Sequence, residues 1–299
     1  MKIISFFILI LITIITIFTE LYLANLGLGD PIRYDSNYIY GYAPKENQSK
    51  SRINGAKVSI NDVGLRSVEN WKNNNSNKII FFGDSITYGG SYIDDKETFS
   101  YLVCKKIKNY ICGNAGVNAY SITNIVMRSR YDKRFGDVEK VIFIVAPGDF
   151  YREYADSQTA HFYLNKNNFF LPAITEAFSF IATKYDFNNY ISKRNDTRIN
   201  QNKIDSIDYS INLIDSEIKR LQKENKDVYL IYSVERKDKK SKLKINNHIL
   251  TKLRNLNIKN FISLEETLNN DIFFYDSVHY NKKGHFAVSK KIKSVLGFF

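Results

Sequence analysis

Cysteine and proline are scarce in this 299-residue chain, with two of the first and four of the second. Two cysteines exclude a disulfide scaffold, and they lack the paired spacing of a zinc site. Four Pro beside fourteen Gly exclude collagen-like and Pro-rich architecture. Histidine is nearly as rare: His161, His248, His279 and His285 are the whole set, so few side chains can serve as a base near neutrality. Apolar residues are not lacking. At 44% hydrophobic the chain is no disordered segment, and its length suits one large domain or two small ones with a sizeable core.

The charge is unbalanced, 43 Lys+Arg against 31 Asp+Glu, a net +12. Such an excess suits a polyanionic partner. Yet Lys, Asn, Ile, Tyr and Phe are abundant together, the composition of an AT-rich genome, and no nucleic-acid-binding motif is present. Nucleic acid is therefore not the expected partner. The densest basic run, Arg236 to Lys244, reads first as a solvated loop, and otherwise as an attractor for acidic polysaccharide or anionic headgroups.

Residues Ile3 to Phe18 carry no charge, and apolar character resumes after Glu20 with Leu21, Tyr22, Leu23 and Ala24. A helix over this stretch, at about 1.5 Å per residue, covers roughly 30 Å, the hydrocarbon core of a bilayer. No small-x-small cleavage site and no cysteine follows it, so residues 1–24 read as an uncleaved, single-pass signal anchor. Lys2 precedes the span and Arg33, Lys45, Lys50 and Arg52 follow it. That bias favours a cytoplasmic C-terminal part, but large domains translocate largely regardless of it, and an exported domain is expected.

Residues 25–77 lack periodic runs and read as a linker and N-terminal cover. From Lys78 strand and helix patterns alternate. Strands are expected at Lys78–Phe82, Tyr110–Cys112, Lys140–Ala146, Asp227–Val234 and Lys259–Leu264. Helices are expected at Thr98–Ile107, Ser121–Arg130, Ser206–Lys223, up to about Leu256, and Lys282–Leu296. The aromatic, Asn-rich residues 150–205 read as an insertion. This alternation predicts an α/β fold, a three-layer α/β/α sandwich around a parallel sheet, over 78–299. Cys104 and Cys112 flank a Lys-rich turn, and both a small disulfide loop and two buried free thiols suit them.

Two segments carry chemistry. Gly83-Asp84-Ser85 follows the first strand, where α/β sheets present groups to ligands. Tyr275-Asp276-Ser277-Val278-His279 lies near the far end of the chain. Serine is a weak nucleophile and needs a base, and the base needs a carboxylate to fix its tautomer. Ser85, His279 and Asp276 supply that set. His285 falls inside the last helix and reads as a packing or surface residue.

These segments resemble the SGNH (GDSL-type) hydrolase family. Asn114-Ala115-Gly116 stands where the family has Asn-x-Gly, and Ala146-Pro147-Gly148-Asp149 where it has Gly-x-Asn-Asp. The resemblance implies Ser85 as nucleophile, with the Ser85 and Gly116 N–H groups as oxyanion donors and Asp84, Asn114 and Asp149 in support. The third donor, an Asn, falls on Gly148 and is missing, which leaves Asn118 or the Gly148 N–H to replace it. One lost donor costs about 100- to 1000-fold in rate. Gly27 to Tyr42 with Asn61-Asp62-x-Gly64-Leu65-Arg66 also looks like membrane-anchored, polysaccharide-associated members. The resemblance implies an esterase on O-acyl, chiefly O-acetyl, groups of envelope carbohydrate, needing no metal or organic cofactor. An O-acetyltransferase with the same triad and an inactive glycan-binding protein of degenerate site are the alternatives.

Overall fold

The computed structural model describes residues 2–72, 74–105, 107–157, 171–184, 201–236, 243–256 and 258–298. Helix α1 (Lys2–Asn25) is, among the described residues, the one helix long and apolar enough to cross a membrane, and its apolar side chains stand exposed. Three threonines interrupt its apolar surface. Their hydroxyls donate to the carbonyls of Leu9, Ile12 and Ile15 at 2.8–2.9 Å, so each polar group is satisfied inside the helix, as a lipid environment requires. The chain turns away at Gly27, where φ is +89° and a Cβ would lie 2.4 Å from the backbone of Arg52.

Two short antiparallel pairs follow, β1 (Tyr34–Asn37) with β2 (Gly41–Pro44) and β3 (Gln48–Ser51) with β4 (Lys57–Ile60). The segment expected to be a linker and cover is built into the domain. Ile32, Tyr34, Tyr42, Val58, Ile60, Val63, Leu65 and Trp71 all join the main apolar cluster. Short strands with mixed polarity carry no long periodic run, so the sequence pattern did not reveal them.

The central sheet contains β5 (Asn77–Gly83), β6 (Tyr110–Gly116), β7 (Lys140–Val145), β8 (Asp227–Tyr232) and β9 (Phe261–Ser263). Every neighbouring pair among them is parallel, in the order β6-β5-β7-β8-β9. Side chains alternate between two apolar layers. Ile80, Phe82, Val141, Phe143 and Leu230 face one cluster, and Ile79, Phe81, Ile142, Ile144 and Ile231 face the other. A sheet covered on both faces needs strands that are apolar throughout, as the near-continuous runs at 79–82 and 141–145 are.

One cover holds α4 (Ile122–Tyr131), α6 (Gln201–Lys223) and α7 (Leu243–Asn255), through Ile125, Ile211, Ile214, Ile218 and Ile249. The other holds α3 (Phe99–Cys104) and α8 (Lys282–Leu296), through Phe99, Val103, Val288 and Ile292. The result is a three-layer α/β/α sandwich. Cys104 and Cys112 are bonded, tying the end of α3 to β6. Helix α5 (Pro172–Lys184) begins against the base of α1, where the Glu20 carboxylate accepts the N–H groups of Ala173 and Ile174 at 2.9 Å.

The strand order fixes the place of any site. After β5 the chain runs to one side for β6 and returns to the other for β7, so the loops following β5 and β7 diverge over a crevice at the strands' carboxyl ends. Ser85 follows β5, and Gly148 and Asp149 follow β7. His161 and residues 237–242 of the basic run, with much of 150–205, lie outside the described residues.

Candidate active site

Helix α2 (Ser85–Tyr88) opens directly at the end of β5. Asp84 caps it by accepting the Ile86 N–H at 2.8 Å, which fixes the turn that presents Ser85. The turn is tight because neighbouring atoms occupy the space a side chain would need. A Cβ on Gly83 would lie 2.0 Å from Thr87 Oγ1 and 2.5 Å from the Ile144 carbonyl. Gly116, at the end of β6, is equally confined: a Cβ there would lie 2.2 Å from the Tyr88 backbone nitrogen.

Ser85 Oγ is 2.8 Å from His279 Nε2, and His279 Nδ1 is 2.7 Å from Asp276 Oδ2. The other carboxylate oxygen, Oδ1, accepts the N–H groups of Val278 and His279 at 2.8 and 2.9 Å. Asp276 thus closes its own loop while it holds the imidazole. The loop is pinned from outside as well: the Tyr275 N–H donates to the His279 carbonyl at 2.8 Å, and the Arg236 N–H to the Ser277 carbonyl at 2.9 Å. Asn281 then caps α8 through the Lys283 and Gly284 N–H groups.

Electrostatics follow the geometry. Burial works against a charged His279, but the hydrogen bond and charge of Asp276 outweigh it, and the imidazole is raised above its ordinary value. Burial alone would raise Asp276 too. The hydrogen bonds from the His279 ring and backbone win, and the carboxyl is pushed down to about 2. A raised base beside a depressed carboxylate is the polarity that proton abstraction from Ser85 requires.

The supporting residues occupy a buried network beneath the serine. Asn114 Nδ2 donates to the Thr87 carbonyl at 2.6 Å and to Ser100 Oγ at 3.2 Å, linking β6 to α2 and α3. Its Oδ1 accepts the Gly116 N–H at 2.9 Å. Here the structure departs from the expectation that Gly116 offers its N–H to an oxyanion, because the adjacent Asn114 side chain engages that donor. Asp149 Oδ2 accepts the Ala146 N–H at 2.8 Å, and its carboxyl is raised well above the ordinary range by burial and by the charge of Asp84.

Asn118 lies on the half-exposed turn after β6. Its carbonyl accepts the Tyr42 hydroxyl at 2.7 Å, while its side-chain amide makes no hydrogen bond to a described residue. The next residue, Ala119, has φ +65°, a costly conformation for a side chain other than glycine. Gly148 sits in the short turn Pro147–Phe150 and bears no side chain toward the crevice.

His285 is buried. Its Nδ1 accepts the Phe99 N–H at 3.2 Å, and burial with the charge of Arg66 pushes it down to about 3, so it packs as a neutral ring. Arg66 itself ties together the segment from Tyr88 to Asp95. Its guanidinium meets Asp95 Oδ1 at 3.0 Å and donates to the carbonyls of Tyr88 and Gly90 at 2.8 and 2.7 Å. It therefore braces the segment that follows α2. The Asn61-Asp62-x-Gly64-Leu65-Arg66 pattern marked this position in the sequence, but not what it holds. Arg152 had no sequence signal at all.

No family model and no curated protein matches the chain. Solved structures to which it is similar include a member of the lipolytic protein G-D-S-L family from Veillonella parvula, at 14% identity over 75% of this chain and 100% of that one, TM-score 0.44. An acetyl xylan esterase is similar at 19% identity over 73% and 99%, TM-score 0.47. A catalytic mutant of an acetylxylan esterase from Geobacillus stearothermophilus is similar at 12% identity over 75% and 95%, TM-score 0.45. The strand order of this chain and the parallel pairing of its sheet define a three-layer α/β/α sandwich.

Proposed function

We propose that the protein is a membrane-anchored serine esterase of the SGNH type that removes O-acyl groups, chiefly acetyl, from cell-envelope carbohydrate. The observation that carries this reading is the continuous hydrogen-bonded chain from Ser85 through His279 to Asp276, at the carboxyl end of the first sheet strand. Ser85 Oγ attacks the ester carbonyl carbon and His279 Nε2 takes its proton. The same imidazolium then protonates the departing sugar oxygen, leaving an acyl-Ser85 that an activated water hydrolyses. Asp276 holds Nδ1–H throughout and stabilises the transient cation.

The carbohydrate part of the proposal draws support from an aromatic pair beside the triad. Tyr275 precedes Asp276, is exposed, and stacks on Tyr92 at 3.8 Å and 13°. An open aromatic face with a polar edge next to a nucleophile suits the apolar face of a pyranose ring. The anchor rests on α1, and export of the catalytic domain goes with it. A sugar hydroxyl in place of water as acceptor turns the same acyl-enzyme into a transferase.

The test is covalent labelling of the full chain with an alkyl fluorophosphonate, together with acetate release from an O-acetylated polysaccharide. Wild type is expected to label once, at Ser85, and to release acetate. Ser85→Ala is expected to do neither. Undiminished acetate release by Ser85→Ala refutes the nucleophile.

A further inference from the structure

The guanidinium of another residue lies beside the point where a side chain on residue 148 would begin. A Cβ built on Gly148 would lie 3.4 Å from Arg152 Nη2 and near no other atom. The guanidinium reaches that point from one turn further along the chain, held there through its other terminal nitrogen. Nη1 donates to the Tyr120 carbonyl at 2.7 Å and lies 3.3 Å from Asp149 Oδ1 and 3.6 Å from Asp84 Oδ2. Among the described residues Nη2 has no hydrogen-bond acceptor. The side chain is 36% exposed, so a guanidinium anchored through Nη1 is still reached by solvent.

We propose that Arg152 supplies the oxyanion donor that Gly148 cannot, presenting Nη2–H to the carbonyl oxygen as Ser85 attacks. This rests on the esterase reading of the site. When the Ser85 Oγ–carbon bond forms, the carbonyl π pair moves onto oxygen and the Ser85 proton moves to His279. Arg152 gains and loses no proton; it binds the negative charge that appears on oxygen, and releases it when the carbonyl re-forms. A guanidinium is suited to this because it stays charged and its donors are fixed in a plane. Asp84 and Asp149 both lie against Nη1, so neither occupies the Nη2 edge. The charge of Arg152 also acts on the His279 ring, placing the guanidinium within electrostatic reach of the triad.

The role assigned here differs from a structural one in what restores it. Three full-length proteins are compared: wild type, Arg152→Ala, and Gly148→Asn in the Arg152→Ala background. Each is assayed for kcat and KM on p-nitrophenyl acetate, for fluorophosphonate labelling of Ser85, and for thermal midpoint. Arg152→Ala is expected to lose about 100- to 1000-fold in kcat with KM within a few fold. The Asn at 148, entering the space the guanidinium leaves, is expected to recover at least tenfold. Wild-type kcat in a folded Arg152→Ala overturns the proposal, as does a folded double variant that recovers nothing.

If Arg152→Ala does not fold, Arg152→Lys decides. It keeps the charge but offers a single nitrogen, so a tenfold or greater fall in kcat at an unchanged midpoint supports the role, and undiminished kcat overturns it. A wild type that neither labels nor hydrolyses overturns the esterase reading and this inference together. A wild type that does both beside an unaffected Arg152→Ala overturns the role of Arg152 alone.

Discussion

Replacing Asp276 by Asn changes one atom and should disable the base while leaving its position intact. Oδ1 of Asp276 accepts two backbone N–H groups, from Val278 and His279, and Oδ2 meets His279 Nδ1. An amide placed there must keep its carbonyl oxygen toward the two N–H donors, because its NH2 would leave both unpaired. The NH2 then faces Nδ1 and makes that nitrogen an acceptor. The ring proton moves to Nε2, which points at Ser85 and can no longer take its proton. An error of tautomer in a triad costs about 10⁴-fold in kcat, or about 5 kcal/mol at 1.36 kcal/mol per decade. The folded state loses far less. Asp276 is 45% exposed, so its ion pair is screened and contributes about 1 kcal/mol at most. The assay is kcat on a small acetyl ester with the denaturant midpoint alongside, and ¹⁵N NMR of the His279 ring. A folded Asp276→Asn within tenfold of wild-type kcat, or one that keeps its proton on Nδ1, refutes the argument.

Further outcomes follow from the same structure. Because His279 is raised above 6.5 by Asp276, kcat/KM should rise with pH through a midpoint above 6.5, and a midpoint below it counts against the pairing. For stability the signs are opposite. The raised His279 contributes fully below 6.5 and loses its contribution as pH climbs through its folded value, whereas the depressed Asp276 contributes above 3.8 and loses it as pH falls toward 2. The difference in denaturant midpoint between wild type and His279→Gln should therefore be larger at pH 5 than at pH 9. Gly116→Ala drives a Cβ into the α2 backbone and should cost about 1–3 kcal/mol with collapse of activity, while Gly148→Ala meets only Arg152 at contact distance and should leave the thermal midpoint unchanged. Arg66→Leu strips the buried Asp95 of its cationic partner and removes the guanidinium that donates to the carbonyls of Tyr88, Gly90 and Ile93; a loss of about 3–5 kcal/mol is expected in urea unfolding.

The sheet and its helices were legible because strands covered on both faces must be apolar for several residues and amphipathic helices must repeat at 3.6. Residues 25–77 were not, because β1 to β4 are four residues each and owe their burial to contacts with distant strands. The bond between Cys104 and Cys112 was left open by the sequence for the same reason: whether the two sulfurs meet depends on how α3 lies on β6.

What the sequence determined by itself about the site is local. Asp276 and His279 stand three apart on one loop, and Ser85 follows a strand end after Gly83, so each half of the chemistry is written in a few consecutive residues. The tertiary structure decided how those halves meet. Ser85 and His279 are 194 residues apart in the chain, and the parallel order β6-β5-β7-β8-β9 carries both to one crevice. It also decided what no motif encodes: the Gly116 N–H is engaged by Asn114, and the guanidinium of Arg152 stands over Gly148. Donors to an oxyanion are chosen by direction and distance in space, and spacing along a chain specifies neither once the groups belong to different strands.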